Sequence, residues 1–299
     1  MMKKEIMQVL PLWGIEINQI EQIYTSAWEV NSQYVIKIYD EKNQLERNIR
    51  ILTILSECDI PVAEIVPTMK DDKYVEHNGK YFFMSKKLAG SSNDDIRDTG
   101  LARQMGSAIA RLHRAFLECE KAIDFWDNSL LAEMQGWIKD NLKADEWQSI
   151  SEDEYVKVVE QLEQVYDVLP KQLIHRDVHF GNFLFTDGEI SGYIDFDLSQ
   201  RNIRIFDLCY FLTGLLVEET EVPLTKDEWL HIVSAVLEGY ESIHTLAMQE
   251  KETVPCVMKC IEILFVAYYI SIQDMKCADI AKNAFIHICK CEEDIRRVI

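Results

Sequence analysis

The spacing of apolar residues changes its period near residue 90. Before that point the run Tyr34-Val35-Ile36-Lys37-Ile38-Tyr39 is β-branched and aromatic with a single charge, which predicts a strand. Leu45, Ile49, Leu52 and Ile54-Leu55 then recur at roughly helical spacing among polar residues, and Ile60-Pro61-Val62 ends the helix they predict. The β-type runs at 74–77 and 80–84 flank Asn78-Gly79, a strong two-residue hairpin signal because both residues tolerate positive φ. The first part of the chain therefore reads as an antiparallel sheet with one main helix.

The small, polar stretch at 88–93 predicts a boundary, with one lobe over residues 1–88 and a larger one over 89–299. Beyond it the apolar spacing is mostly helical, at 101–117 (Ile109, Leu112, Phe116), 155–168, 229–244 and 257–274. One β-type interruption, 173–196, breaks this pattern. The expected fold class is α+β, sheet first and a mainly helical part second. Met1-Met2-Lys3-Lys4-Glu5 leads into a mixed segment with no long apolar core, so a signal peptide is not expected there. The most apolar stretch, 261–272, contains Glu262 and is too short to span a bilayer, so a soluble, cytoplasmic protein is expected.

Charge narrows the range of partners. The chain holds 51 acidic and 31 basic residues, a formal net charge of -20, which disfavours nucleic acid and anionic membrane. The imbalance is local: 13 acids and 11 bases lie in residues 1–90, against 38 and 20 in residues 91–299. A cationic partner for the second part is favoured, beside the plainer reading of an acidic solubilising surface. The eight cysteines form no C-x-x-C pair. They read as buried free thiols in a reducing compartment, with a zinc site from Cys256, Cys260, Cys289 and Cys291 as the weak alternative.

The chemistry is concentrated in the interruption. His175-Arg176-Asp177 precedes Asn182, and Asp187-Gly188 is a hairpin signal ahead of Ile194-Asp195-Phe196-Asp197. Folding the chain about that turn sets Asn182 near Tyr193, with Asp195 about two residues further on, at one end of the hairpin. Asp177 lies in the loop entering that end. Two carboxylates and an amide oxygen suit Mg²⁺. Phosphoryl transfer needs one aspartate to orient the attacking hydroxyl and further oxygen ligands to hold the metal. An ordinary hairpin with turn-forming Asp, Asn and Gly would explain the turn, but not the second aspartate or the preceding His-Arg.

His175-Arg176-Asp177-x-x-x-x-Asn182 followed by Ile194-Asp195-Phe196-Asp197 resembles the catalytic loop and metal motif of the aminoglycoside phosphotransferase and choline kinase-like family, relatives of protein kinases. The resemblance implies a bilobal, protein-kinase-like fold, ATP or GTP, Mg²⁺, and transfer of the γ-phosphoryl group to a small alcohol. It implies Asp177 as catalytic base, Asn182 and Asp195 as metal ligands, and Asp197 as a supporting or metal-linked acid. Lys37 corresponds to the lysine of the α- and β-phosphates, with Glu46 as its ion-pair partner and Glu41 as the alternative. The run Met84-Ser85-Lys86-Lys87-Leu88 corresponds to the hinge that meets the purine, with Ser85 and Lys87 as candidates. Thr25 and Ser26 fall where a glycine-containing phosphate-covering loop is expected, and the segment 24–29 has no glycine but does carry the bulky Trp28. Asp207 corresponds to an aspartate that braces the catalytic loop, and is equally a helix N-terminal carboxylate.

The chain lacks an Ala-Pro-Glu signature and a long activation segment, which argues against a protein kinase. The acidic second part favours an amine-bearing acceptor; a neutral or zwitterionic one such as homoserine stays open, as does a monomer or homodimer. A non-catalytic nucleotide-binding scaffold is the rival reading, and the presence of Lys37, Asp177, Asn182 and Asp195 argues against it.

Overall fold

In the computed structural model, which describes residues 2–92, 97–125, 128–217 and 222–299, the run at 34–39 forms the middle strand of an antiparallel sheet. Met1, and Asn93 at the end of the expected boundary stretch, lie outside the described residues. The strands β1 (Ile20–Tyr24), β2 (Ala27–Val30), β3 (Tyr34–Tyr39), β4 (Tyr74–His77) and β5 (Lys80–Lys86) are ordered β1-β2-β3-β5-β4. Asn78 and Gly79 both take positive φ (52° and 73°), which gives β4 and β5 their tight turn and pairs His77 with Lys80.

Strand alternation sorts the two faces of this sheet. Ile36, Ile38, Phe82 and Met84 share one face with Trp28 and Val30. They form one core with Ile6, Val9, Leu10 and Trp13 from α1 (Met2–Val9) and the 3₁₀ turn Leu10–Trp13. Lys37 and Tyr39 lie on the other face, where α2 (Lys42–Glu57) buries Leu45, Asn48, Ile49 and Leu52. The helix phase that buries the apolar residues thus delivers Asn48 to Tyr39. It also leaves Lys37 as a charged group on the side of the sheet that α2 covers.

The chain contacts resolve into two units. One holds Met1–Asn93, Lys121–Ile123 and Gly181–Asp197; the other holds Asp94–Glu120, Asp124–Phe180 and Leu198–Ile299. The hairpin of β7 (Phe183–Thr186) and β8 (Glu189–Tyr193) therefore packs with the first unit. Tyr193 N–H donates to Pro61 O at 2.9 Å, and Ser91 pairs with Phe185. Gly90 passes so close that a Cβ there would sit 2.6 Å from Ser191 Oγ and 2.8 Å from Phe185 O, at φ +112°.

The second unit is built of α3 (Thr99–Ala122), α4 (Leu130–Glu133), α5 (Lys139–Ala144), α6 (Glu152–Tyr166), α7 (Phe206–Val217), α8 (Lys226–Glu241), α9 (Met248–Ser271) and α10 (Met275–Val298). A two-stranded pair, β6 (Lys171–Ile174) with β9 (Gln200–Ile203), belongs to the same unit. Helices α3 and α8 cross at glycines: a Cβ on Gly106 would fall 1.9 Å from Val236 O, and one on Gly239 2.1 Å from Arg103 O. Helix α9 begins nine residues before the expected start. Its 24 residues are long and apolar enough to cross a bilayer, contrary to the length expected for this stretch. Its apolar window is 72% buried by protein, against α5, α6, α7 and α10, which accounts for that apolarity.

Candidate active site

On the first unit, polar groups converge from β3 and from the tail of the β7–β8 hairpin. The hairpin turns at Asp187-Gly188, both at positive φ. A bulge between Leu184 and Phe185 shifts the register, so Phe183 pairs with Tyr193 and Ile194 N–H donates to Asn182 O at 3.0 Å. Asn182 thus lies one residue from the register that the turn alone gives, still at the end from which Asp195 follows. Asp195 itself adopts a left-handed backbone (φ 64°), which Asp and Asn accept more readily than most residues.

Lys37 Nζ donates to Asp195 Oδ1 at 2.9 Å and to Asp197 Oδ2 at 3.0 Å. The other Asp197 oxygen accepts from Tyr39 OH at 2.8 Å, and Asn48 Nδ2 donates to that hydroxyl at 2.6 Å. Burial pulls the Lys37 ammonium toward neutrality, but the Asp197 and Asp195 carboxylates outweigh it and raise its pKa. Burial, reinforced by Asp197, likewise pushes the Tyr39 hydroxyl well up, so it stays a donor.

Glu46 is not the partner of Lys37. Its Oε1 accepts from Tyr74 OH at 3.0 Å and lies 3.5 Å from Lys42. Two positions on a helix rotate a side chain by about 200°, so the phase that sends Asn48 inward sends Glu46 elsewhere. Glu41 precedes α2 at its N-cap. Thr25 and Ser26 form the exposed turn between β1 and β2, where Ser26 O accepts from Ile38 N–H at 2.9 Å. Trp28 is not part of that turn: it is buried in β2, in the sheet core. Ser85 is buried on β5 opposite Val35. Lys87 donates to Glu29 Oε2 at 2.6 Å, a hydrogen bond that lowers the Glu29 pKa.

On the second unit, Asp177 is held from two sides. Tyr210 OH donates to its Oδ1 at 2.7 Å, and His179 Nε2 lies 3.5 Å from its Oδ2. Burial works against the charge, but the hydrogen bonds from His179 and Tyr210 prevail and lower its pKa to about 2. The loop carrying it is braced by buried Asp207, whose oxygens accept from His175 N–H and Arg176 N–H, each at 2.8 Å. His113 Nε2 meets the same carboxylate at 2.9 Å, and its Nδ1 meets Tyr240 OH at 2.9 Å. Asp207 is in the first turn of α7 as well, so the brace and the helix N-terminal carboxylate are one residue. Arg176 takes a left-handed φ of 70° and pairs with Glu133 at 2.6 Å.

Tyr210 and His179 also line a cavity of about 310 Å³ in this unit, walled by α7 (Tyr210, Gly214, Val217), α9 (Glu262, Phe265, Tyr269) and α10 (Cys277, Ile280, Ala281). The spacing of these residues marks one face of each helix. Sequence reasoning did not find Tyr210, His179, Tyr39 or Asn48 as site residues. Their only signal was place: Tyr210 three residues after Asp207 in a helix start, and Tyr39 two after Lys37 on the same strand face. Among the described residues no group of three or more His, Cys, Asp or Glu is placed to hold a metal ion, so the cysteine site is not formed there.

Residues 16–249 match the phosphotransferase enzyme family. The homoserine kinase of Methylobacillus glycogenes is 24% identical over 240 residues, which cover 78% of this chain and 71% of that protein. An amicoumacin kinase, solved with AMP-PNP and Ca²⁺, aligns at a TM-score of 0.72 with 17% identity, covering 99% of this chain and 93% of that one. The GDP complex of aminoglycoside 2'-phosphotransferase-IIIa aligns at 0.70 with 15% identity, covering 100% and 98%. These similarities establish the kinase-like α+β fold.

Proposed function

Because the chain belongs to the phosphotransferase enzyme family, we propose that it moves the γ-phosphoryl group of ATP or GTP to the hydroxyl of a small, amine-bearing alcohol in the cytoplasm. The observation that carries this reading is that the two groups holding Asp177 ionised, Tyr210 and His179, also line the 310 Å³ cavity. A carboxylate fixed beside a small-molecule-sized cavity is what orientation of an acceptor hydroxyl requires.

Asp177 is a weak base, with a pKa near 2. Its contribution is to align the hydroxyl and to take its proton late, when bond formation has made that proton acidic. Asp207 fixes the loop that carries it, and Tyr210 fixes its rotamer. We assign the nucleotide to residues 1–88 together with the hairpin tail, and the acceptor to residues 89–299. Lys37 supplies the fixed cation for phosphate oxygens, with Thr25 and Ser26 in the exposed β1–β2 turn as phosphate donors. The run 84–88 is assigned to the purine edge through the backbone groups that remain after Lys86 N–H and Lys87 N–H donate to Glu64 O and Gln33 O and Met84 O accepts from Val66 N–H. The amide of Asn182 and the carboxylate of Asp195, whose side chain is 47% exposed, are hard oxygen donors and fit Mg²⁺. Bound there, the ion would neutralise charge on the nucleotide phosphates.

The amine is supported by the aminoglycosides in a structural neighbour's name and by the acidic excess in residues 91–299; homoserine, in the sequence relatives' names, is the zwitterionic alternative. The test is a coupled ADP assay with Mg-ATP and Mg-GTP over amino alcohols, homoserine, aminoglycosides and amine-free alcohols. Acceptor-dependent ADP release is the expected result. Its absence with every alcohol would remove the reading.

A further inference from the structure

Glu262 is anomalous. It sits in the middle of α9, 1% exposed, in a helix apolar and long enough to cross a bilayer. No hydrogen bond of standard geometry reaches either carboxyl oxygen among the described residues. Against burial, the Thr213 hydroxyl beside it pulls its pKa down, and itself donates to Tyr210 O at 3.3 Å. A buried carboxyl this poorly hydrogen-bonded is costly and calls for a specific cause, such as a ligand, an ion or an ordered water.

The surroundings indicate which ligand. Glu262, Phe265 and Tyr269 occupy positions i, i+3 and i+7 on the face of α9 that lines the cavity. The Tyr210 and Phe265 rings lie 5.7 Å apart, and those of Phe265 and Tyr269 are stacked at 6.1 Å. Aromatic faces beside a single carboxyl, with no Lys or Arg among the lining residues, favour an ammonium over an anion or a neutral sugar. We infer that Glu262, with Tyr210, Phe265 and Tyr269, is the subsite that binds the acceptor's ammonium group and so selects amino alcohols. The inference rests on the acceptor reading of this cavity, and it assigns the amine to a buried group rather than to the acidic surface. Tyr210 connects the two ends of the acceptor: its ring faces the amine subsite and its hydroxyl holds Asp177.

Burial raises the Glu262 pKa to about 8, so near pH 7 the empty subsite is mostly protonated. The titratable groups around the cavity are His179, Tyr210, Tyr269 and Cys277, with Asp177 beyond Tyr210. Arrival of an ammonium stabilises the carboxylate and expels its proton. Binding at pH 7 is therefore expected to release close to one proton, and amine affinity to rise with pH up to about 8.

The experiment pairs 3-amino-1-propanol with its uncharged counterpart 1-butanol, on wild type and Glu262→Gln. Gln keeps the shape and cannot ionise. Wild type should prefer the amine in KM, and the substitution should cut that preference by roughly 10–100-fold, the reach of one charge-assisted hydrogen bond. Calorimetry at pH 7 in buffers of different ionisation enthalpy should show proton release in wild type and none in the variant. If alcohols turn over but the preference is the same in Glu262→Gln, the subsite assignment is overturned while the phosphotransfer reading stands. If no alcohol turns over, calorimetry decides: proton-linked amine binding that the variant loses supports the subsite, and its absence in wild type overturns it.

Discussion

The polar groups of the first unit and the cavity of the second differ in how their charge is satisfied. On the first, Lys37, Asp195, Asp197, Tyr39 and Asn48 form a network that is closed among its charged groups, where a single ammonium answers two carboxylates and only the Asn48 amide oxygen lacks a donor. On the second, Asp177 has its donors, but the carboxyl of Glu262 on the same cavity wall has only the Thr213 hydroxyl beside it and no cation. A closed network is preorganised for a partner of fixed chemistry, such as the nucleotide phosphates. An open one leaves the final charge to the ligand, and there specificity can vary without disturbing the transfer chemistry.

The sharpest way to break this comparison is at Asp177. Asp177→Asn keeps both neighbours and the side-chain shape but removes the charge that aligns and deprotonates the acceptor. Loss of about 10²–10⁴ in kcat is expected, with nucleotide affinity little changed. Transfer near the wild-type rate, measured by ADP release, would show that the second unit does not supply the reacting carboxylate. Asp195→Ala comes next. It opens the closed network, leaves Lys37 with one of its two acids, and is expected to raise the Mg²⁺ requirement and the nucleotide KM about tenfold or more. An unchanged magnesium titration would detach Asp195 from the metal.

The two regions also differ in how readily sequence exposes them. The hairpin at Asp187-Gly188, the strand at 34–39 and the helices at 101–117 and 229–244 follow from turn chemistry and local periodicity, and each is present. The motif around Asp177 is local for the same reason. Glu46 failed because its assignment required the phase of α2 relative to β3, which is set by which apolar residues the sheet accepts and not by spacing from Lys37. The bulge in the β7–β8 hairpin moved the register by one residue for a similarly non-local reason. Helix α10 was not anticipated: its buried positions include small Ala278, Ala281 and Ala284, and its spacing is interrupted by cysteines. Glu262 was visible only as an acid inside an apolar run. Its meaning depends on α7 and α10 bringing Tyr210 and Cys277 to the same cavity, a tertiary fact.

Tyr210→Phe sharpens the comparison on a smaller scale. The ring that walls the cavity remains, and one hydrogen bond to Asp177 is lost. A fall in kcat of about 3–10-fold is expected, the reach of a bond worth about 1 kcal/mol that positions a reacting group. The same change should raise the pKa of Asp177 from about 2 toward that of an ordinary carboxylate. A depressed folded-state pKa stabilises the fold above the unfolded value, near 4, and that contribution is lost as pH falls toward 2. The variant should therefore give up this stabilisation at higher pH. Acid unfolding followed by circular dichroism checks the direction, and an unchanged midpoint would mean Tyr210 does not tune Asp177.

The smallest effect separates buried charge from surface charge within the second unit. Residues 91–299 carry 38 acids against 20 bases, whereas residues 1–90 are nearly balanced. Exposed acids near the cavity attract a cationic acceptor over a Debye length of about 8 Å at physiological salt, and that attraction is screened as salt rises. Glu262 is buried, so its attraction for an ammonium in contact with it is screened far less. Raising salt from low to physiological strength at saturating nucleotide should therefore raise the KM of an amino alcohol about twofold and leave that of a neutral alcohol unaffected. The same twofold rise should persist in Glu262→Gln, because the surface acids are still present. A salt effect that disappeared with Glu262 would place the electrostatic attraction at the buried carboxyl alone. A salt effect equal for charged and neutral acceptors would assign it to the nucleotide phosphates and leave the acidic surface to solubility.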